Sequence, residues 1–333
     1  MSGRVTVLGA GSWGTTLADL LARQGLEVTL WAHEAEVVTA VNETHENPLF
    51  LPGCPLAPSL RAVGDAATAS AGTPVVLCAA PSHAVRTVLR TAAPGIAPDT
   101  ILVSLTKGLE PDTLLFPSEV AAATLPGMRF VALSGPSFAR EVYDRQPTAV
   151  VAASLDAAAA AAIQALVSAP HFRVYRNDDV VGTEIAGALK NVIAIAAGVL
   201  EGLGLGHNPR AALITRGLAE ITRLGLALGA SSRTFAGLAG LGDLVLTTTG
   251  AQSRNRALGI ALAQGQRLAE YTAAHRTVAE GVNTARAAVQ LGLRTDVELP
   301  ITAQVAALLF EGKQPGPAIA ELMDRALKPE QWT

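Results

Sequence analysis

Residues 4–14 read Arg-Val-Thr-Val-Leu-Gly-Ala-Gly-Ser-Trp-Gly. An apolar, β-branched run enters a Gly9-x-Gly11-x-x-Gly14 turn, and the helix-forming stretch after it is predicted to start near Gly14 and stop before Gly25. Strand, glycine turn and helix in that order are the signature of a dinucleotide-binding βαβ unit. Each glycine has its own reason. Gly9 permits the tight turn, Gly11 lets a pyrophosphate approach the backbone, and Gly14 lets helix and strand pack closely. The helix N-terminus adds N–H donors and a partial positive charge for the phosphates.

Working outward, apolar runs at 4–8, 27–31, 75–79, 101–105, 130–133 and 148–152 alternate with helical stretches. Their near-continuous hydrophobicity suits strands covered on both faces, and the alternation predicts a doubly wound, mostly parallel sheet. Residues 47–58 read as an ordered, proline-rich loop, and the six alanines 157–162 as a strong helix former. Beyond residue 178 no strand is predicted, and helices at 183–200, 209–228 and 277–291 take over. The expected domains are therefore 1–178, a nucleotide-binding α/β unit, and 179–333, an all-α unit.

Composition narrows the function. The chain has 333 residues, half of them hydrophobic, enough for two cores. A net charge of −3 argues against a nucleic-acid partner. Cys54 and Cys78 suit neither a disulfide framework nor a metal site, and the histidines are scattered, so no metal is expected. No signal peptide is evident, and the apolar run 185–200 is broken by Lys190 and Asn191 and short for a membrane span. These features predict a cytoplasmic protein without membrane insertion. Apolar helices in the second half point to a homodimer.

At the end of the second strand, Trp31-Ala32-His33-Glu34 lacks the well-placed acid that holds an NAD ribose. His33 could meet a 2′-phosphate. This favours NADPH and leaves NADH open. Other strand ends, where ligands of such sheets gather, carry Ala80-Pro81-Ser82, Thr106-Lys107-Gly108 and Ser134-Gly135-Pro136-Ser137. Lys190 sits in an apolar helix, where burial would perturb its pKa. Asp243 lies in an apolar, glycine-flanked run, and Ser253-Arg254-Asn255-Arg256 offers groups that can grip a phosphate. Each has a plainer reading: an ion pair for Lys190, a helix cap for Asp243, a solvated basic face for Arg254 and Arg256.

Taken in order, GAGSWGTTLA, TKGLE, SGPSFAREV, ALKNVIAIAAG, ALITRGLAE, AGLGDLVLT, QSRNR and VAEGV span roughly residues 5–300. The chain resembles the bacterial NAD(P)-dependent glycerol-3-phosphate dehydrogenase family. The resemblance implies a Rossmann N-terminal domain, an all-α C-terminal domain and a site between them. It implies reversible reduction of dihydroxyacetone phosphate to sn-glycerol 3-phosphate, feeding phospholipid synthesis. It implies Lys190 as proton donor and acceptor with Asp243 beside it. Lys107, Gly135, Ser137, Lys190, Asp243, Ser253, Arg254 and Asn255 would meet the substrate. Ser12, Trp13, His33, Lys107, Ala139, Arg254, Val278 and Glu280 would meet the cofactor, together with the glycine turn. Pro209 after Asn208 departs from the pattern at a helix entrance, and the match weakens after residue 300. A two-domain hydroxy-acid dehydrogenase and a non-catalytic NADP sensor are the competing readings. The Lys190, Asp243, Arg254 and Asn255 set speaks against both.

Overall fold

The computed structural model describes residues 3–275, 279–327 and 329–330. Its strands are β1 (Arg4–Leu8), β2 (Glu27–Trp31), β3 (Arg61–Val63), β4 (Val75–Cys78), β5 (Ile101–Ser104), β6 (Arg129–Ser134), β7 (Thr148–Ala153) and β8 (Phe172–Asn177). They form one sheet in the order β3-β2-β1-β4-β5-β6-β7-β8. Every neighbouring pair is parallel except β6 with β7. Successive side chains of a strand point to opposite faces. Thus Val75 and Leu77 enter one core, with Leu17 and Leu21 of the first helix. Val76 and Cys78 enter the other, with Val85 and Leu89. This is the doubly wound, mostly parallel sheet expected from the sequence.

Two strands were not foreseen. β3 is only three residues long. β8, FRVYRN, alternates buried and exposed residues because it is the sheet's edge, so a search for continuous hydrophobicity passes over it. The first helix, Ser12–Arg23, begins two residues before the expected Gly14, directly after the glycine turn's extended Gly11. The alanine run is helical, and Asp156 caps it by accepting from the N–H groups of Ala158 and Ala159. Loop 47–58 is tied down by Asn47, which donates to the carbonyl of Ala10 and to Thr15 Oγ1, both at 2.8 Å.

Among the described residues no strand follows Asn177. Asp179 then caps the lysine helix, Val180–Gly202, by accepting from Gly182 N–H. This helix is longer than the 183–200 expected and is apolar enough to cross a membrane by length and composition. However, 89% of that apolar window is buried inside the protein, so its hydrophobicity serves the second core. It packs against the helices His207–Ala227, Asp243–Thr249, Arg254–Ala263 and Glu280–Thr295. The approach of Arg254–Ala263 (the arginine helix) is close. A Cβ on Gly198 would fall 2.0 Å from the Arg256 carbonyl oxygen, and one on Gly259 2.0 Å from that of Ile195. Glycine at both positions lets the two backbones touch, which sets Arg254 and Asn255 beside the lysine helix.

Candidate active site

The glycine turn bears out the packing reasons read for Gly9 and Gly14. Gly9 has φ +114°, in the region that favours glycine. A Cβ on Gly14 would meet the Gly9 carbonyl oxygen at 2.0 Å. A Cβ on Gly11 would meet nothing within 4 Å, so protein packing does not demand glycine there. Close approach of a ligand would. The first turn of helix Ser12–Arg23 supplies the backbone donors for an anion. The turn therefore fits the pyrophosphate of a dinucleotide. The Trp13 ring packs near Phe172, centroids 6.3 Å apart, so its side chain serves the core. The Ala139 carbonyl accepts from Thr16 Oγ1 at 3.3 Å, docking the Ala139–Tyr143 helix on the first one. His33 is exposed just beyond β2, its ring 6.4 Å from that of Trp31.

The second cluster assembles at the carboxyl ends of β5 and β6. Asp243, 1% exposed, begins the helix Asp243–Thr249 and does not cap it. Its carboxylate bridges two ammonium groups. Lys190 Nζ lies 2.6 Å from Oδ1 and Lys107 Nζ 2.7 Å from Oδ2. Lys190 also donates to Thr247 Oγ1 at 2.7 Å, and Lys107 to the Gly135 carbonyl at 2.9 Å. That carbonyl accepts from Ser137 Oγ as well, at 2.9 Å. Gly135 has φ +136°, and a Cβ there would strike Val150 Cα at 2.9 Å, so glycine is structurally required where β6 ends against β7.

Two lysines around one carboxylate leave a net positive charge, which suits a substrate carrying a phosphate and developing an oxyanion. Burial pulls the Lys190 ammonium down to about 7, against the pull of Asp243, and the nearby Lys107 charge adds to the lowering. A lysine poised there can give or take a proton near neutral pH.

Asn255 is buried on the arginine helix and donates to Asn191 Oδ1 at 2.9 Å. Ser253 caps that helix, its hydroxyl oxygen accepting from Arg256 N–H while its own O–H stays available to donate. Arg256 is held by Glu201 on the lysine helix, so its charge is committed within the protein. Arg254 is exposed. Protein crowded about its head group lowers its pKa, and Glu280 opposes the lowering, while an arginine so placed stays charged. The Glu280 carboxylate accepts from Ser82 N–H at 3.2 Å and Ser82 Oγ at 2.6 Å, joining the start of helix Glu280–Thr295 to the end of β4. Val278 lies outside the described residues.

This chain matches the N-terminal region of NAD-dependent glycerol-3-phosphate dehydrogenase over residues 4–160 and the C-terminal region over 179–320. The chain belongs to the NAD-dependent glycerol-3-phosphate dehydrogenase family. A relative from Geobacter sulfurreducens, glycerol-3-phosphate dehydrogenase [NAD(P)+], is 57% identical over the full length of both chains. The solved structure of glycerol-3-phosphate dehydrogenase from Coxiella burnetii is 40% identical, with TM-score 0.93, covering 97% of this chain and 99% of that one. D-mandelate dehydrogenase, with TM-score 0.64 and 13% identity, shares the fold alone.

Within this family frame the structure gathers Lys107, Gly135, Ser137, Lys190 and Asp243 into one contact network, with Asn255 joined through Asn191. It keeps His33 outside that network, past the far strand β2. Three participants were not assigned from sequence: Thr247, Asn191 and Ser82. Thr247 could have been found, since it stands one helical turn after Asp243 and so on the same face. Ser82 was noted only as part of a strand end facing the ligand crevice, and its bond to Glu280 was not legible because nothing local ties the two.

Proposed function

We propose that this site reduces dihydroxyacetone phosphate to sn-glycerol 3-phosphate with NADPH or NADH, and catalyses the reverse oxidation. The observation that carries the residue roles is the buried Lys190, tethered by Asp243 and Thr247 and brought down to about 7. When bound, the reduced nicotinamide supplies the hydride to the central carbonyl carbon. Negative charge then develops on the carbonyl oxygen. The Lys190 ammonium stabilises that charge and delivers the proton that completes the alcohol. Asp243 orients Lys190, and Lys107 adds a second positive charge. Arg254 and Asn255 hold the phosphate, so binding energy far from the reacting carbon fixes its position. Ser137 and Ser253 line the same substrate space.

The glycine turn, Ser12, Trp13, His33, Ala139, Val278 and Glu280 hold the cofactor, with Lys107 and Arg254 shared by both ligands. His33 favours NADPH. The working division is residues 1–178 for the cofactor and 179–333 for substrate and catalysis. The protein acts in the cytoplasm as a homodimer, without nucleic acid and without membrane insertion, and its product feeds glycerophospholipid synthesis.

The test is oxidation of NADPH and of NADH by purified protein, followed by loss of the reduced-nicotinamide absorbance. Oxidation dependent on dihydroxyacetone phosphate is expected, faster with NADPH. No oxidation by protein that binds NADPH would reject the substrate assignment.

A further inference from the structure

Two side-chain amides in the site have a connection that the proposed chemistry does not use. Gly281 donates its N–H to Asn255 Oδ1 at 2.9 Å. Asn255 Nδ2 donates to Asn191 Oδ1 at 2.9 Å. Asn191 Nδ2 donates to the carbonyls of Lys107 at 3.1 Å and Gly187 at 3.4 Å. The direction of this chain is dictated by its ends. A backbone N–H can only donate and a backbone carbonyl can only accept, so flipping either amide would set donor against donor or acceptor against acceptor. Both asparagines are buried, where such a mismatch has no water to relieve it.

The chain crosses three helices and ends where β5 ends. It starts beside Glu280, which grips Ser82 at the end of β4. It passes through the arginine helix and the lysine helix. It ends on the backbone of Lys107, whose ammonium holds Asp243. There is no slack at its origin. A Cβ on Gly281 would meet the Asn191 carbonyl oxygen at 2.7 Å, Asn255 Oδ1 at 2.8 Å and Ile195 Cδ1 at 2.8 Å. A displacement of the Glu280 segment is therefore passed to Lys107 through hydrogen bonds of fixed polarity in a packed seam.

We infer that Asn191 is a positioning residue that couples the cofactor end of the site to its lysine pair, so that each ligand strengthens binding of the other. The inference rests on the proposed reaction for the identity of those ligands. By linkage the coupling must be reciprocal.

The experiment measures NADPH affinity by fluorescence, with and without saturating sn-glycerol 3-phosphate, a pair that cannot turn over. Wild-type protein should bind NADPH at least about fivefold more tightly when sn-glycerol 3-phosphate is present, the low end of ordinary coupling between sites. In Asn191→Ala the ratio should fall to near one while NADPH affinity alone stays close to wild type, and the melting temperature should drop because Asn255 Nδ2 and the Lys107 carbonyl each lose a buried partner. Should Asn191→Ala fail to fold, Asn191→Ser is read by the same criterion, since its single short hydroxyl cannot span from Asn255 to the Lys107 carbonyl as the amide does. Full coupling in either folded variant, or none in the wild type, would overturn the inference. Substrate-dependent NADPH oxidation by the wild type is measured first. Its absence counts against the reaction, whereas loss of coupling confined to the variants bears on Asn191 alone.

Discussion

The glycine turn and the lysine cluster solve different problems. The turn offers backbone donors at the start of a helix, has no room for side chains at Gly9 and Gly14, and lies within residues 9–14. The cluster works through side chains, two of whose decisive contacts join residues 53 and 136 positions apart in sequence. Holding a phosphate can be written into one local segment, because a helix N-terminus already carries the donors. Holding a proton at the right pKa needs desolvation and opposing charges brought from distant segments, which only a packed core provides.

Substitutions can break this contrast. The largest effect is expected for Lys190→Ala. Turnover should drop by about 10²–10⁴-fold or more, the usual worth of a positioned general acid, while NADPH binding persists. Near-normal turnover would remove Lys190 from its role. In the turn, Gly14→Ala should destabilise the fold, since its Cβ would overlap the Gly9 carbonyl oxygen. Gly11→Ala should leave the melting temperature unchanged yet weaken NADPH binding tenfold or more, by roughly 1.4 kcal/mol. Equal melting losses in both variants would mean that Gly11 too is only a packing glycine.

Arg254→Ala should chiefly raise the KM for dihydroxyacetone phosphate, and an unchanged KM would place the phosphate elsewhere. The pH profile sharpens the comparison further. On the proposed mechanism reduction uses the protonated Lys190, so its rate should hold below pH 7 and fall as pH rises through about 7. Oxidation needs the free amine and should show the opposite slope. Asp243→Asn removes a contact that favours the ammonium and should move both midpoints down.

The smallest effect concerns Glu184, a buried carboxyl on the same helix as Lys190. Its partners are Ser118 N–H at 2.9 Å and the Ser118 hydroxyl, not a lysine. Burial pushes it up to about 8. A folded pKa above the unfolded one stabilises below the unfolded value and loses that contribution as pH rises through the folded value. The melting temperature should therefore decline by a few degrees between about pH 5 and pH 8, and Glu184→Gln should flatten that decline. A pH-independent wild-type melting curve would contradict it.

Legibility followed the same divide. Interior strands are covered on both faces and read as apolar runs, so β1, β2 and β4 to β7 were found within a residue or two. The short β3 and the half-exposed β8 escaped because an edge strand alternates and carries charge. In the turn, the packing demands at Gly9 and Gly14 were readable glycine by glycine. In the cluster, Lys190 and Asp243 stood out as charges in apolar surroundings, but their pairing did not, and neither did the part played by Thr247, Asn191 and Ser82. Sequence alone determined the fold class, the nucleotide turn and, through the order of its motifs, the family. Tertiary structure alone decided which carboxylate meets which lysine: Asp243 bridges Lys107 and Lys190 while Glu184 turns to Ser118. The reason is physical. A local pattern can announce that a buried charge must find a partner, but the partner is chosen by how distant segments pack.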